Sequence, residues 1–135
     1  MASQSLFPDT LYHSAQFDYA QAVVARGGKT IYIAGQTAWN KELKMPGGTD
    51  VAAQLKQALG NVRLALAAAG ASPADLVQLR THVVNYSADM LPAIGPVFHN
   101  FLDPAHLPAA TLIGVQSLAL PELLVEVDAV AVIKA

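Results

Sequence analysis

The sequence predicts a domain of the α/β or α+β class, with two helices packed on one face of a sheet. Three observations carry this prediction. Apolar residues recur at helical spacing through residues 50–69 and again through 89–102. Apolar and polar residues alternate through 77–85, as a strand with one polar side requires. Apolar, β-branched runs fill 30–34, 108–115 and 124–131. The elements follow in the order β-β-α-β-α-β-β as one domain spanning 1–135, with no repeat and no dividing linker. Periodicity gives the class but not the order of strands in the sheet.

Tyr19 to Gln36 reads as a hairpin, in which Val23 and Val24 lead into Arg26-Gly27-Gly28-Lys29 and Thr30 to Ala34 return. The two glycines supply the positive φ of a tight reversal. Gly35 ends that strand, and Met45-Pro46-Gly47-Gly48 marks an exposed loop. Thr49 or Asp50 caps a helix running to about Ala69, with Gly70 in the place of a C-cap glycine. Val51, Leu55, Ala58, Leu59, Val62, Leu66 and Ala69 form its buried face, and Gln54, Lys56, Gln57, Asn61 and Arg63 the opposite one. Ser72-Pro73-Ala74-Asp75 has the pattern of a single capped turn. In the second helix Met90, Ile94, Val97, Phe98 and Phe101 share a stripe, and Pro92 and Pro96 place its regular part from about Gly95 onward. Pro108 to Val115 and Leu124 to Ala131 then read as two buried strands.

Composition narrows the function classes. The net charge is −2, so nothing in the overall field favours nucleic acid or an anionic membrane. Charged residues make up 13% of the chain, about half the usual share of roughly 25%. That deficit points to a surface partly covered by other subunits. The chain has no cysteine, which removes thiolate catalysis and sulfur-ligated metals. Met1 to Thr10 has neither the basic region nor the apolar run of a signal peptide, and no apolar stretch reaches membrane-span length. A cytoplasmic protein is expected.

Glu126 is the chief candidate for chemistry. On a strand, Leu124, Glu126, Asp128 and Val130 share one face and Val125, Val127, Ala129 and Ala131 the other. Two acids on one face are either a general acid/base pair or two solvated groups; Leu124, Val130 and Val132 on the same face favour burial. Arg80 and His82 share a strand face that either lines the cavity of Glu126 or faces solvent. The four histidines, His13, His82, His99 and His106, lack metal-ligand spacing, so no metal is expected. Neither a hydrolase elbow nor a phosphate-binding loop is present.

The chain resembles the Rid/YjgF family from about Tyr19 to its end. The landmarks are Tyr19-Ala20-Gln21-Ala22-Val23, Ile33-Ala34-Gly35-Gln36, Gln57-Ala58-Leu59-Gly60-Asn61-Val62, Asp75-Leu76-Val77, the Pro108 segment and Val125-Glu126-Val127-Asp128-Ala129-Val130-Ala131. Their order and spacing are specific together, though no single piece is. The resemblance implies an α+β, chorismate-mutase-like mixed sheet with two helices on one face, assembled as a homotrimer with ligand clefts between subunits. It implies hydrolysis of reactive enamines and imines to 2-oxo acids and ammonia, without a cofactor. In such deaminases an arginine grips the substrate carboxylate and a glutamate on the last strand orients the attacking water.

Glu126 matches that glutamate, and Tyr19 and Gly35 match pocket-lining positions. The clamp position is Ala110, which can neither hydrogen-bond nor neutralise a carboxylate. The chain therefore resembles an arginine-less branch. One expectation is an enzyme acting on an imine without an α-carboxylate, or on the usual substrate with Arg80 as a substitute clamp. The other is a non-catalytic trimer binding a small molecule or partner in the same cleft. A ribonuclease role, attached to some relatives, fits poorly with the acidic charge.

Overall fold

The computed structural model describes residues 3–135. The first helix, α1 (Val51–Ala68), starts where a carboxylate satisfies an orphan donor: Asp50 accepts the Ala53 N–H at 2.9 Å. Leu55, Ala58, Leu59, Val62 and Leu66 are buried, as the stripe requires. At the far end the Gly70 N–H donates to Ala67 at 3.0 Å and the Ala71 N–H to Leu66 at 2.9 Å. This double closure needs a left-handed residue, and Gly70 supplies it with φ of 76°.

Two residues depart from the faces expected for this helix. Ala69 is exposed, because it is the C-cap, where the chain leaves the helix. Gln54 is fully buried instead of lying on the polar face. Its amide nitrogen donates to the carbonyls of Gly48 at 2.8 Å and Glu122 at 3.0 Å, and its oxygen accepts the Leu124 N–H at 2.9 Å. A buried amide with its groups satisfied joins the helix start to two loops.

The second helix, α2 (Leu91–Phe101), begins earlier than the prolines suggest. Pro92 sits in the first turn, where its missing N–H costs nothing, and a 3-10 turn over Ala88–Met90 precedes it. Pro96 is interior, yet the bond it removes is the one to Pro92, still close to the helix start. The helix buries Ile94 and Phe101 and packs on α1, where the Arg63 guanidinium lies 5.2 Å from the centre of the Phe101 ring.

The described residues form six strands: β1 (Ser3–Leu6), β2 (Ala22–Ala25), β3 (Lys29–Gln36), β4 (Leu76–Val84), β5 (Ala109–Val115) and β6 (Val125–Ile133). The main sheet has the order β3-β6-β4-β5, with β4 and β5 parallel and the other pairs antiparallel. The expected hairpin between 19 and 36 is not formed. β2 pairs with β1, a partner outside the expected elements, and β3 lies at the outer side of the sheet against β6. Gly27 and Gly28 do take positive φ, and a side chain on Gly28 would strike the Ile133 carbonyl. The turn thus exists, but it delivers the chain to a different partner. The β1–β2 ribbon attaches on the β5 side, where the Ala20 N–H donates to Pro108 at 2.8 Å and the Ser5 hydroxyl to Leu107 at 2.6 Å.

Register decides which side chains share a face. Val125, Val127, Ala129 and Ala131 are buried on the side covered by α1, together with Ile33, Leu79, Thr81 and Val83. The other face carries Glu126, Asp128 and Val130, opposite His82, Arg80 and Gln78. Tyr32, opposite Val130, is 80% exposed there. The acid-bearing strand is therefore buried on one side only, so Glu126 and Asp128 are half-buried. β5 also corrects the expectation of a buried strand: as the outer strand of the main sheet it leaves Thr111 to Gly114 exposed.

Candidate functional site

The candidate residues form two groups separated by the sheet. Glu126, Gly35, His82 and Arg80 belong to the face without helices. Glu126 lies opposite His82 in the β6–β4 ladder. The His82 Nδ1 is 3.3 Å from the Glu126 backbone carbonyl oxygen. Two residues along, Arg80 Nε donates to Asp128 Oδ1 at 2.8 Å. The guanidinium is thus engaged by the second acid of the strand, in a largely exposed pair of small energetic value.

Gly35 does not end β3 but sits within it, where the register shifts between Ile33 and Gln36. A Cβ on Gly35 would lie 2.6 Å from Glu126 Oε2 and 2.7 Å from its Cδ. The absence of a side chain there creates the room that the carboxylate occupies.

Tyr19 and Ala110 lie on the helix-bearing face. Ala110 pairs with Leu79 and Leu112 with Thr81, so all four point to the side where α2 stands over β4 and β5. α2 does not close onto these strands. A cavity of about 800 Å³ remains, lined among others by Phe17, Tyr19, Thr81, Phe98, Ala110 and Leu112. The Tyr19 hydroxyl is hydrogen-bonded to that of Tyr12. This bond, with burial and the neighbouring phenol adding to it, pushes the Tyr19 phenol above its ordinary range and holds its proton in place. At the mouth, His99 Nδ1 lies 3.1 Å from Asp18 Oδ1.

The cavity residues Thr81, Phe98 and Leu112 were not singled out from sequence. Thr81 had a signal, as the lone hydroxyl on the apolar side of a strand reading Val77, Leu79, Thr81, Val83. Leu112 had none, because its partner depends on the parallel β4–β5 register. Chemically, the bare face offers a half-buried carboxylate, and the helix face offers an apolar recess with hydroxyl groups.

A mixed sheet with two helices on one face defines the chorismate-mutase-like α+β class. Within that class the family model described as Endoribonuclease L-PSP matches residues 12–133. The chain belongs to this family, the Rid/YjgF proteins. It is similar to the Rid-family protein YyfB of Yersinia pestis, a protein of unknown function, with 45% identity, a TM-score of 0.90 and coverage of 98% of this chain and 100% of that one. RidA of the Antarctic bacterium Psychrobacter is 26% identical with a TM-score of 0.68, over 85% of this chain and 88% of that one. A 2-iminobutanoate/2-iminopropanoate deaminase of Dermatophagoides farinae is 28% identical over 116 residues, 86% of each protein. Among the described residues no helix is long and apolar enough to cross a membrane.

Proposed function

We propose that the chain is an imine- or enamine-hydrolysing deaminase of the cytoplasm, acting on a small reactive metabolite in clefts between the subunits of a homotrimer. The observation that carries this is the contact of Glu126 with Gly35: a half-buried carboxylate on the bare sheet face, in space that only a glycine leaves. Glu126 accepts a proton from water as the oxygen adds to the C=N carbon and passes that proton to the former imine nitrogen. The resulting carbinolamine then loses ammonia, leaving a carbonyl, so that water and the imine yield ammonia and the ketone without redox change. The relative named as a 2-iminobutanoate/2-iminopropanoate deaminase supports the reaction class.

The trimer is supported by the exposed Tyr32 on the uncovered sheet face and by the 13% charge content. It is supported too by the placement of Tyr19 and Ala110 across the sheet from Glu126. A cleft between neighbours would set the Glu126 group of one subunit against the Tyr19 group of the next. His82 acts as a positioning residue for Glu126, and no cofactor is invoked. Ala110 occupies the place where the family's arginine would bind carboxylate, and Arg80, paired with Asp128 at 2.8 Å, is not free to substitute.

The test is hydrolysis of freshly generated 2-iminopropionate and of a carboxylate-free imine, in competition with semicarbazide. Turnover of either that is abolished in Glu126→Gln supports the enzyme. Rates equal to buffer for both substrates favour the second reading, a non-catalytic trimer that binds a small molecule, for which the missing clamp at Ala110 speaks.

A further inference from the structure

The outer groove between α1 and α2 carries two cations that no acid among the described residues engages. Lys56 and Arg63 stand seven residues apart on α1, roughly 10 Å along its axis, and both are exposed. No acidic side chain lines the groove, although the chain as a whole has a net charge of −2. The Arg63 guanidinium lies 5.2 Å from the centre of the Phe101 ring, a contact that uses none of its N–H donors. Between the two cations lies Gly60. A glycine in a helix interior is destabilising relative to alanine. Packing does not demand this one, since no other part of the chain lies within 4 Å of where a Cβ would stand. Its effect is to keep the groove open down to the buried Leu59 and Phe101, with Val97 and Asn100 of α2 as the facing wall. The space measures about 450 Å³, inside the usual range of roughly 300–1,000 Å³ for small-molecule sites. Only helix residues line it, so the bare sheet face, where the subunits of the proposed trimer meet, has no part in it. The body of α2 separates it from the recess over β4 and β5.

We infer that this groove binds a small organic anion, its carboxylate or phosphate head held between Lys56 and Arg63 over the Gly60 backbone and its apolar body laid on Leu59, Val97 and Phe101. The two cations select for charge, and the apolar floor selects for a body to go with it. A neutral ligand of the same shape gains only the second of these. An anionic head at this exposed rim keeps part of its hydration, so it escapes the cost of full burial. The site is distinct from Glu126, and the inference does not depend on the chemistry proposed there.

The test uses the full chain in its own oligomeric state, with the Gly60 and Val97 N–H resonances as reporters in an NMR titration. Three probes share a benzyl body: 3-phenylpropionate, benzyl phosphate and the neutral 3-phenylpropanamide. At least one charged probe is expected to move both resonances with an affinity roughly tenfold or more above that of the amide. Whichever charged probe binds tighter names the head. Lys56→Gln and Arg63→Gln are each expected to weaken that probe about three- to tenfold and to flatten its salt dependence. Gly60→Leu separates the site from the fold. Leucine is the better helix residue, so the thermal midpoint should not fall, while the side chain fills the groove and binding drops by roughly tenfold or more. The inference is overturned if the amide binds as tightly as both charged probes, or if no probe moves these resonances. Charged probes that move only the Thr81 and Ala110 resonances of the recess also overturn it, as do affinities that all three substitutions leave unchanged. Imine turnover enters none of these readouts, so a chain without Glu126-dependent activity can still pass, and a chain with it can still fail.

Discussion

Two residues illustrate how differently a single side chain can be legible. Glu126 stands out in sequence because an acid interrupts an apolar run, and the strand does carry it on a half-buried face. Its dependence on Gly35 could not be read, since the contact arises from a register shift in β3. Gly35→Ala is therefore expected to displace the Glu126 carboxylate, the movable end of a flexible side chain. Deaminase turnover should fall as far as in Glu126→Gln, while a urea unfolding curve shifts by only about 1 kcal/mol or less. Gln54 behaves in the opposite way. Gln54→Leu leaves the Leu124 N–H and two carbonyls without their buried partner, and a loss of about 2–4 kcal/mol in the same unfolding measurement is expected. Sequence placed Gln54 on the polar face because it is polar; a satisfied amide is as much at home inside.

At the level of elements, local signals succeeded where the partner was local. The cap, stripe and terminal glycine of α1 are all set within one turn of their own residues. Asp50→Ala is expected to cost about 1 kcal/mol, measured by thermal or urea unfolding, through loss of the cap to Ala53. The turn after α2 adds a pH dependence. Asp103 accepts the Ala105 N–H at 2.9 Å and contacts His106 at 3.2 Å, and these bonds, the backbone one foremost, hold its carboxyl below the usual carboxylate range. A depressed folded-state value means that the stabilisation is present above the unfolded pKa of about 3.8 and lost as pH falls through the lower folded value. The stability gap between the natural chain and Asp103→Asn should accordingly be open at neutral pH and close in acid, and it is small because the side chain is well exposed. The β2–β3 hairpin failed for the complementary reason. A Gly-Gly turn specifies a reversal but not a partner, and the pairing of β2 with Ser3–Leu6 is a long-range choice.

For the whole molecule, alternating periodicities were enough for two helices on a sheet, because that layering follows from which faces are apolar. The order β3-β6-β4-β5, with one parallel pair, could not follow from them, and neither could the division of candidate residues between two sheet faces. The open face with Tyr32 at 80% exposure sets an assembly prediction: light scattering at micromolar concentration should give three times the mass of the 135-residue chain, and Tyr32→Glu should lower it. The split across β4 has a consequence for mixtures. In a trimeric deaminase each site would draw Glu126 and Tyr19 from different chains, so two inactive proteins can repair one another. Subunits carrying Glu126→Gln and subunits disabled in the Tyr19 recess, once unfolded together and reassembled in equal amounts, should recover about one site in four. Two lesions on the same chain would recover none, which makes genetic complementation a direct reading of this sheet's two sides.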